Sequence, residues 1–296
     1  MRRVLCLAVA VLITCSTLAL LTVSGTRNGL AAVEIHKVDE AHFVPVPGQP
    51  VFFLVLGVDG RPGLEGDRAD AIHLVGVNPG TGAGTILNFP RDSFVEIPGR
   101  GQSRINDAFF YGGTHLQAET VERLTGIHPS FILTTNFPGL EGMVNDLGGL
   151  DVDIPIAMKD KNSGADFPKG RVHLNGSQAL AFSRNRHIPD GDLRRSEHQT
   201  LLILSALTKV RAENPGPAGT LRYLAVLARH VRFNNVALPE LYRLGRLGLI
   251  IDPAKMRNVT MPSRLGRAGA REVVFVGPGA PALFADMRDD AVLQAH

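Results

Sequence analysis

The chain has 296 residues, 44% of them apolar, no tryptophan and a formal net charge of +3. With Arg2 and Arg3 set aside, the basic residues outnumber the acidic ones by a single charge, so no body-wide nucleic-acid footprint is indicated and no nucleic-acid partner is expected. The only cysteines, Cys6 and Cys15, both fall in the first apolar run, which excludes disulfides, thiolate metal sites and cysteine nucleophiles from the rest of the chain.

Residues 4–23 carry no charge, and about twenty such residues suffice to cross a bilayer as a helix. Arg2 and Arg3 precede them, so the expected topology is single-pass, with the N-terminus cytoplasmic and the body extracytoplasmic. A cleaved signal peptide is the alternative. Residues 1–24 therefore read as a stub and membrane anchor, 25–50 as a stalk or linker ending in "VPVPGQP", and 51–296 as the functional domain. Continuous apolar runs predict buried strands at 51–58, 71–77 and 85–89. A helix is expected at 116–126, closed by Gly126, then a strand over "PSFILTTNF". "PGLEGMVNDLGG" has a proline in its first turn and glycine just past its end, as a short helix does. "LDVDIPI" alternates like a half-exposed strand, "GSQALAFSR" reads as a short helix, and "RRSEHQTLLILSALTKV" is the longest helical pattern, with Ile203, Ala206, Leu207 and Val210 on one face. Residues 217–296 give two or three more helices and the strands "RNVTMP" and "EVVFV". Strands interleaved with helices predict one α/β or α+β domain.

Charged residues gather at the predicted strand ends, where open α/β sheets place their ligands. Asp59 and Asp70 flank the loop "GRPGLEGDRA", which also carries Arg61 and Arg68. Two carboxylates at adjacent strand ends can share one hard cation such as Mg²⁺, which fills its shell with water and phosphate oxygens. Guanidinium groups fork onto those same oxygens. The plainer reading is that Asp59 caps a turn and Arg68 and Asp70 form a surface pair. Further along come Arg91 and Asp92, Arg104 and Asn106, Arg184 and Arg186, and then Asp192, Arg195 and Gln199. Each cluster alone reads as solvated loop charge. Together they describe what a polyanion bound with a metal requires. His73, inside an apolar run, reads as a core or edge residue. No phosphate-loop, nucleophile-elbow, zinc-protease or dinucleotide fingerprint is present.

The blocks "LGVDGR", "DRAD", "NFPRDSFVEIPG", "RINDAFFYGG", "VERLTGI", "DLGGLDVDI", "LNGSQALAFSRNR" and "GDLRRSEHQ" resemble, in that order, the landmarks of the LytR-CpsA-Psr family. The resemblance spans roughly residues 50–212, and the closing "LFADMRDDA" is also similar. It implies an α/β fold, a mixed sheet flanked by helices, behind a single transmembrane helix. It implies a membrane-anchored phosphotransferase that moves a glycopolymer from a polyprenyl-pyrophosphate carrier to peptidoglycan, forming a phosphodiester, with the lipid in an apolar channel between sheet and helices. Carried over by motif, Asp59 and Asp70 would bind Mg²⁺ (or Mn²⁺). Arg68, Arg91, Arg184 and Arg186 would hold the pyrophosphate, and Asp92 would support those arginines. Arg61, Arg104, Asn106, Arg195 and Gln199 would contact substrate.

Four positions depart from the family pattern. Arg104 replaces a usual lysine, Asn136 a usual aspartate, and Arg194 and His198 occupy positions where glycine and arginine are common. The competing functions are a polyprenyl-pyrophosphate phosphohydrolase using the same site, a non-catalytic lipid-binding or regulatory envelope protein, and a scaffold in which these acids and arginines are structural.

Overall fold

The computed structural model describes residues 33–38, 43–58, 68–186, 191–213 and 231–294. The expected anchor at 4–23, both cysteines, Asp59 and Arg61 lie outside the described residues, as does the side chain of Asp192. Among the described residues no helix is long and apolar enough to cross a membrane.

Seven strands form the main mixed sheet. In spatial order they are β12 (Val231–Asn234), β1 (Val33–Lys37), β7 (Phe131–Thr135), β2 (Val51–Val58), β3 (Ala69–Val77), β4 (Gly84–Asn88) and β13 (Met256–Thr260). β2 runs parallel to β7 and antiparallel to β3, with Gly57 opposite both Thr135 and Ala71. Alternation across the pleat explains the long apolar runs. Leu54 and Leu56 of β2, and Ile72 and Leu74 of β3, enter a filled core. Their neighbours Phe53, Val55, Gly57, Ala71, His73 and Val75 turn to the opposite face and line a cavity. Both faces are covered, so neither strand needs a polar side.

The filled core is closed by α1 (Asp107–Thr125) and α6 (Ala280–Asp290), which supply Ala118, Val121, Phe284 and Met287. On the other face lie α2 (Phe137–Asp146), α4 (Gly191–Ala212) and α5 (Leu238–Ile250), with the cavity between them and the sheet. α3 (Gly176–Arg184) packs with α2 and α4 around a second core that includes the hairpin of β8 (Leu150–Ile154) with β11 (Gly170–Leu174) and that of β9 (Met158–Asp160) with β10 (Ala165–Phe167). A four-stranded sheet, ordered β14 (Ser263–Ala268), β15 (Arg271–Val276), β5 (Ser93–Ile97) and β6 (Gly101–Arg104), completes the fold. The observed class is the expected α/β, a mixed sheet with helices on both faces.

Local signals account for several boundaries. Gly126 adopts φ 68°, and its N–H reaches the Glu122 carbonyl, ending α1 in the left-handed conformation that glycine favours. Asn136 caps α2 by accepting from the Gly139 N–H at 2.9 Å, so the asparagine at this position has a structural task.

Three expectations are revised. The stalk assigned to 25–50 contains β1, which pairs with β7 and β12 inside the main sheet. Asp70 lies within β3 rather than ahead of it, because the strand starts at Ala69. The helix expected at 116–126 begins at Asp107, interrupted by non-helical backbone at Gly112 and Gly113. Arg184 is the last residue of α3, where the short helical pattern ending in "AFSR" places it, and both it and Arg186 line the cavity.

Candidate functional site

The cavity has a volume of about 730 Å³, within the range of roughly 300–1,000 Å³ usual for small-molecule sites. Its walls are almost entirely apolar. The sheet gives Val55, Val75 and Leu133, α2 gives Leu140 and Met143, α4 gives Ile203 and Leu207, and α5 gives Leu241 and Leu244. The face of α4 expected from its spacing is the face that lines the cavity. Gly57 is part of the floor, and a Cβ there would meet the Ala71 Cβ at 2.9 Å, so this β2–β3 contact requires glycine.

Near Gly57 the lining turns polar, with Asp70, Arg184, Arg186, Arg195 and Gln199. The Arg195 guanidinium is buried and donates to the Asp70 carbonyl at 2.9 Å, tying α4 to the start of β3. Gln199 donates to the Ser183 carbonyl at 3.2 Å and so links α4 to α3. Arg184 lies over the Phe137 ring, 5.1 Å from its centroid.

From Asp70 a charged ladder leads away from the cavity. Arg91 donates to Asp70 Oδ1 at 2.8 Å, and its Nε lies 3.6 Å from Asp92 Oδ2. Arg104 donates to Asp92 Oδ1 at 3.0 Å and approaches Asp107 Oδ1 at 3.6 Å. Arg68 donates to that same Asp107 oxygen at 3.1 Å, while Ser103 donates to Oδ2 at 2.7 Å. Three arginines alternate with three aspartates, so the ladder is formally neutral. Arg184, Arg186 and Arg195 add positive charge at the mouth. The ladder side chains are partly exposed, except Asp107, which is buried.

The structure thus gathers Arg68, Asp70, Arg91, Asp92, Arg104, Arg184, Arg186, Arg195 and Gln199 into one continuous region. Asn106 is buried beneath it at the start of α1, its N–H on the Arg91 carbonyl at 3.2 Å and its Oδ1 without a hydrogen-bond partner among the described residues. Sequence reasoning missed Asp107, which anchors Arg68, Arg104 and Ser103. Its only signal was a carboxylate at the head of "DAFFYGG", which reads equally well as an ordinary first-turn acid.

Behind the mouth, His73 is buried and shares a 2.7 Å hydrogen bond with Asn88 Oδ1. Burial lowers its pKa to about 4, aided by the charge of Arg195. It is a central-strand residue facing the cavity. Thr200 donates to the same Asn88 oxygen at 2.7 Å, and Asn88 donates to Asn258 Oδ1 at 2.7 Å. His198 stacks on Phe182 with centroids 4.7 Å apart, and burial, with Arg194 nearby, lowers its pKa to about 4. It is a neutral core residue, distinct from the arginine common at that position.

Among the described residues no group of three or more His, Cys, Asp or Glu side chains is set to hold a metal ion. Asp70 alone nevertheless suits a hard cation, since Arg91 occupies one carboxylate oxygen and the other is left to coordinate.

The apolar cavity and its arginines and carboxylate thus adjoin as one site. The LytR_cpsA_psr family model matches residues 24–280, and the chain belongs to that family. It is 35% identical over 164 residues to a Bacillus cereus protein named polyisoprenyl-teichoic acid–peptidoglycan teichoic acid transferase TagU, a match covering 54% of this chain and 53% of that one. An Enterococcus faecalis protein of the same name is 36% identical over 170 residues, covering 56% and 55%. The chain thus spans about half the length of these relatives. Bacillus subtilis TagV superposes with a TM-score of 0.70 at 22% identity, covering 84% of this chain and all of that one. A LytR-Csp2A-Psr enzyme from Actinomyces oris superposes at 0.66 and 23%, covering 82% and 94%.

Proposed function

We propose that this protein is a membrane-anchored, extracytoplasmic phosphotransferase, moving a glycopolymer from a polyprenyl-pyrophosphate carrier onto peptidoglycan. The observation that carries this reading is the continuity of the apolar cavity with its arginine-rich mouth. A long hydrocarbon attached to a pyrophosphate matches both parts at once. Relatives named as teichoic acid transferases to peptidoglycan support the same chemistry.

The reaction balances as follows. An acceptor hydroxyl oxygen attacks the phosphorus that bears the glycan. The bond from that phosphorus to the bridging oxygen breaks, and polyprenyl phosphate leaves with the electron pair. The product is a glycan–acceptor phosphodiester, and the hydroxyl proton passes to a base. The leaving group is already stable as an anion, so a separate general acid is not obligatory. Arg184 and Arg186 face the head group from the helical side, and Arg91 and Arg68 from the ladder. Fixed cations are most useful where charge grows in the transition state. Asp70 and Asp92 are the two candidate bases for the proton: Asp92 when Asp70 holds the metal, and Asp70, which lines the cavity, when it does not. Asp70, with Asp59 from the preceding loop, would hold Mg²⁺, which when bound neutralises phosphate charge.

The test uses a labelled polyprenyl-pyrophosphate-linked glycan, peptidoglycan fragments and Mg²⁺. Label should join peptidoglycan through a phosphodiester. Label released to water with none transferred would replace this reading with a phosphohydrolase, and label left on the lipid would leave a binding protein.

A further inference from the structure

The ladder does not end at Arg68. Its guanidinium carbon lies 5.2 Å over the Phe110 ring, and Phe110 meets Tyr111 edge-on with centroids 5.3 Å apart. Arg100, at the turn between β5 and β6, covers Tyr111 at 5.1 Å. Both rings are more than 40% exposed. Immediately after them the helix breaks at Gly112 and Gly113, and Gly113 adopts φ 63°, which glycine tolerates. The break leaves the two rings on a short turn of their own. Two adjacent exposed aromatics held by arginines expose apolar surface that a merely structural turn has no reason to keep.

We infer that Phe110 and Tyr111, with Arg100, form a platform for a pyranose ring of one of the two glycan substrates. The inference rests on the function proposed above for its orientation, since the lipid, the phosphates and the platform then follow one another along the site. One face of a pyranose presents axial C–H groups with partial positive charge, and an aromatic face is negative. Arg68 and Arg100 each hold one face of a ring, so the sugar takes the face turned away from them, with its hydroxyls at the rim of the stack. A pyranose could come from the donor, attached to the pyrophosphate, or from the peptidoglycan acceptor.

The protein has no tryptophan, so Tyr111→Trp gives a sole indole reporter at the platform. The full chain carrying it is titrated separately with a short-prenyl pyrophosphate-linked disaccharide, with a soluble peptidoglycan disaccharide-peptide, and with inorganic pyrophosphate. A saturable emission shift with either sugar supports the platform and identifies which glycan it holds. Phe110→Ala in the same background should then weaken that binding at least fivefold. The inference is overturned by three results: silence with both sugars, indifference to Phe110→Ala, or a full shift from pyrophosphate alone. Transfer activity is scored separately, on the parent chain. A parent that transfers nothing, while the Tyr111→Trp emission responds to sugar, loses the proposed function and keeps the platform. A parent that transfers, while the indole stays silent, loses only the platform.

Discussion

Two ion-paired regions lie at opposite ends of the cavity and use the same residue types differently. At the mouth, Arg91 and Asp70 remain 23% and 30% exposed. At the other end, Lys37 of β1 and Glu240 of α5 pair at 2.8 Å with side chains 8% and 1% exposed. Strand register fixes the separation. Lys37 lies beside Phe131, which pairs with Phe53, whereas Asp70 lies by Gly57 at the other end of β2. Glu240 also accepts from the N–H groups of Phe43 and Ala237, each at 2.8 Å, and Arg243 donates to the Phe43 carbonyl at 2.9 Å. The buried pair is satisfied from several directions and fastens a cavity wall to the sheet. The mouth keeps its charges within reach of water and of an incoming anion. Burial and saturation, more than residue type, separate the structural acid from the one available for chemistry.

Substitutions can break this contrast. Arg91→Ala should have the largest effect, lowering transfer by roughly 10²–10³-fold, as removal of one fixed transition-state donor does. Its melting temperature should stay close to the parent's, and Arg91→Lys should recover part of the rate. Near-parental transfer by Arg91→Ala would remove the mouth from the chemistry.

Glu240→Ala inverts the pattern. It strands a buried ammonium, a change that costs roughly 3–5 kcal/mol, so thermal unfolding should shift sharply downward. The double variant Lys37→Met/Glu240→Leu should lose less than Glu240→Ala alone. Equal losses would mean that packing, and not the stranded charge, sets the cost.

Between the two ends lies the apolar wall. Ile203→Asp or Leu207→Asp, four residues apart on the cavity face of α4, should weaken a long-prenyl substrate by about tenfold and a short-prenyl analogue by much less. Equal effects on KM for both chain lengths would argue that the lipid does not run along α4.

Much of the mouth was legible because its signals are local. Apolar runs locate β2 and β3, glycine marks the end of α1, and Arg91 and Asp92 sit in the short link between β4 and β5, with Arg104 at the end of β6. What was missed depends on distance in the sequence. Lys37 and Glu240 are 203 residues apart, and β1, reading "VEIHK", alternates too weakly to declare itself as sheet. The three-residue strands β9 and β10 are too short to carry a period. Asp107 became informative only when Arg68, 39 residues earlier, was found on it. The roles of Asp59 and Arg61, both outside the described residues, continue to rest on the family resemblance.

The smallest expected effect separates the two ends by pH. Glu240 is held down at about 2, chiefly by its hydrogen bond from Lys37, against an ordinary 4.5. A carboxyl depressed on folding stabilises above its unfolded pKa, and that stabilisation is lost as pH falls through the folded one. Stability from Glu240 should therefore drain away between about pH 4.5 and 2. His198, depressed to about 4 from an ordinary 6.5, obeys the same sign, because its unfolded form takes up a proton first. Its contribution drains between about pH 6.5 and 4, the window shared by His73. Glu240→Gln should flatten the lower part of the stability–pH curve. His198→Phe, which preserves the stack on Phe182, should make the upper part shallower without abolishing its slope, because His73 continues to titrate there. Denaturant unfolding at half-unit pH steps reads both. An unchanged upper slope in His198→Phe would mean that His198 takes up its proton alike in the folded and unfolded chain, and that its stacked, buried position does not keep it neutral.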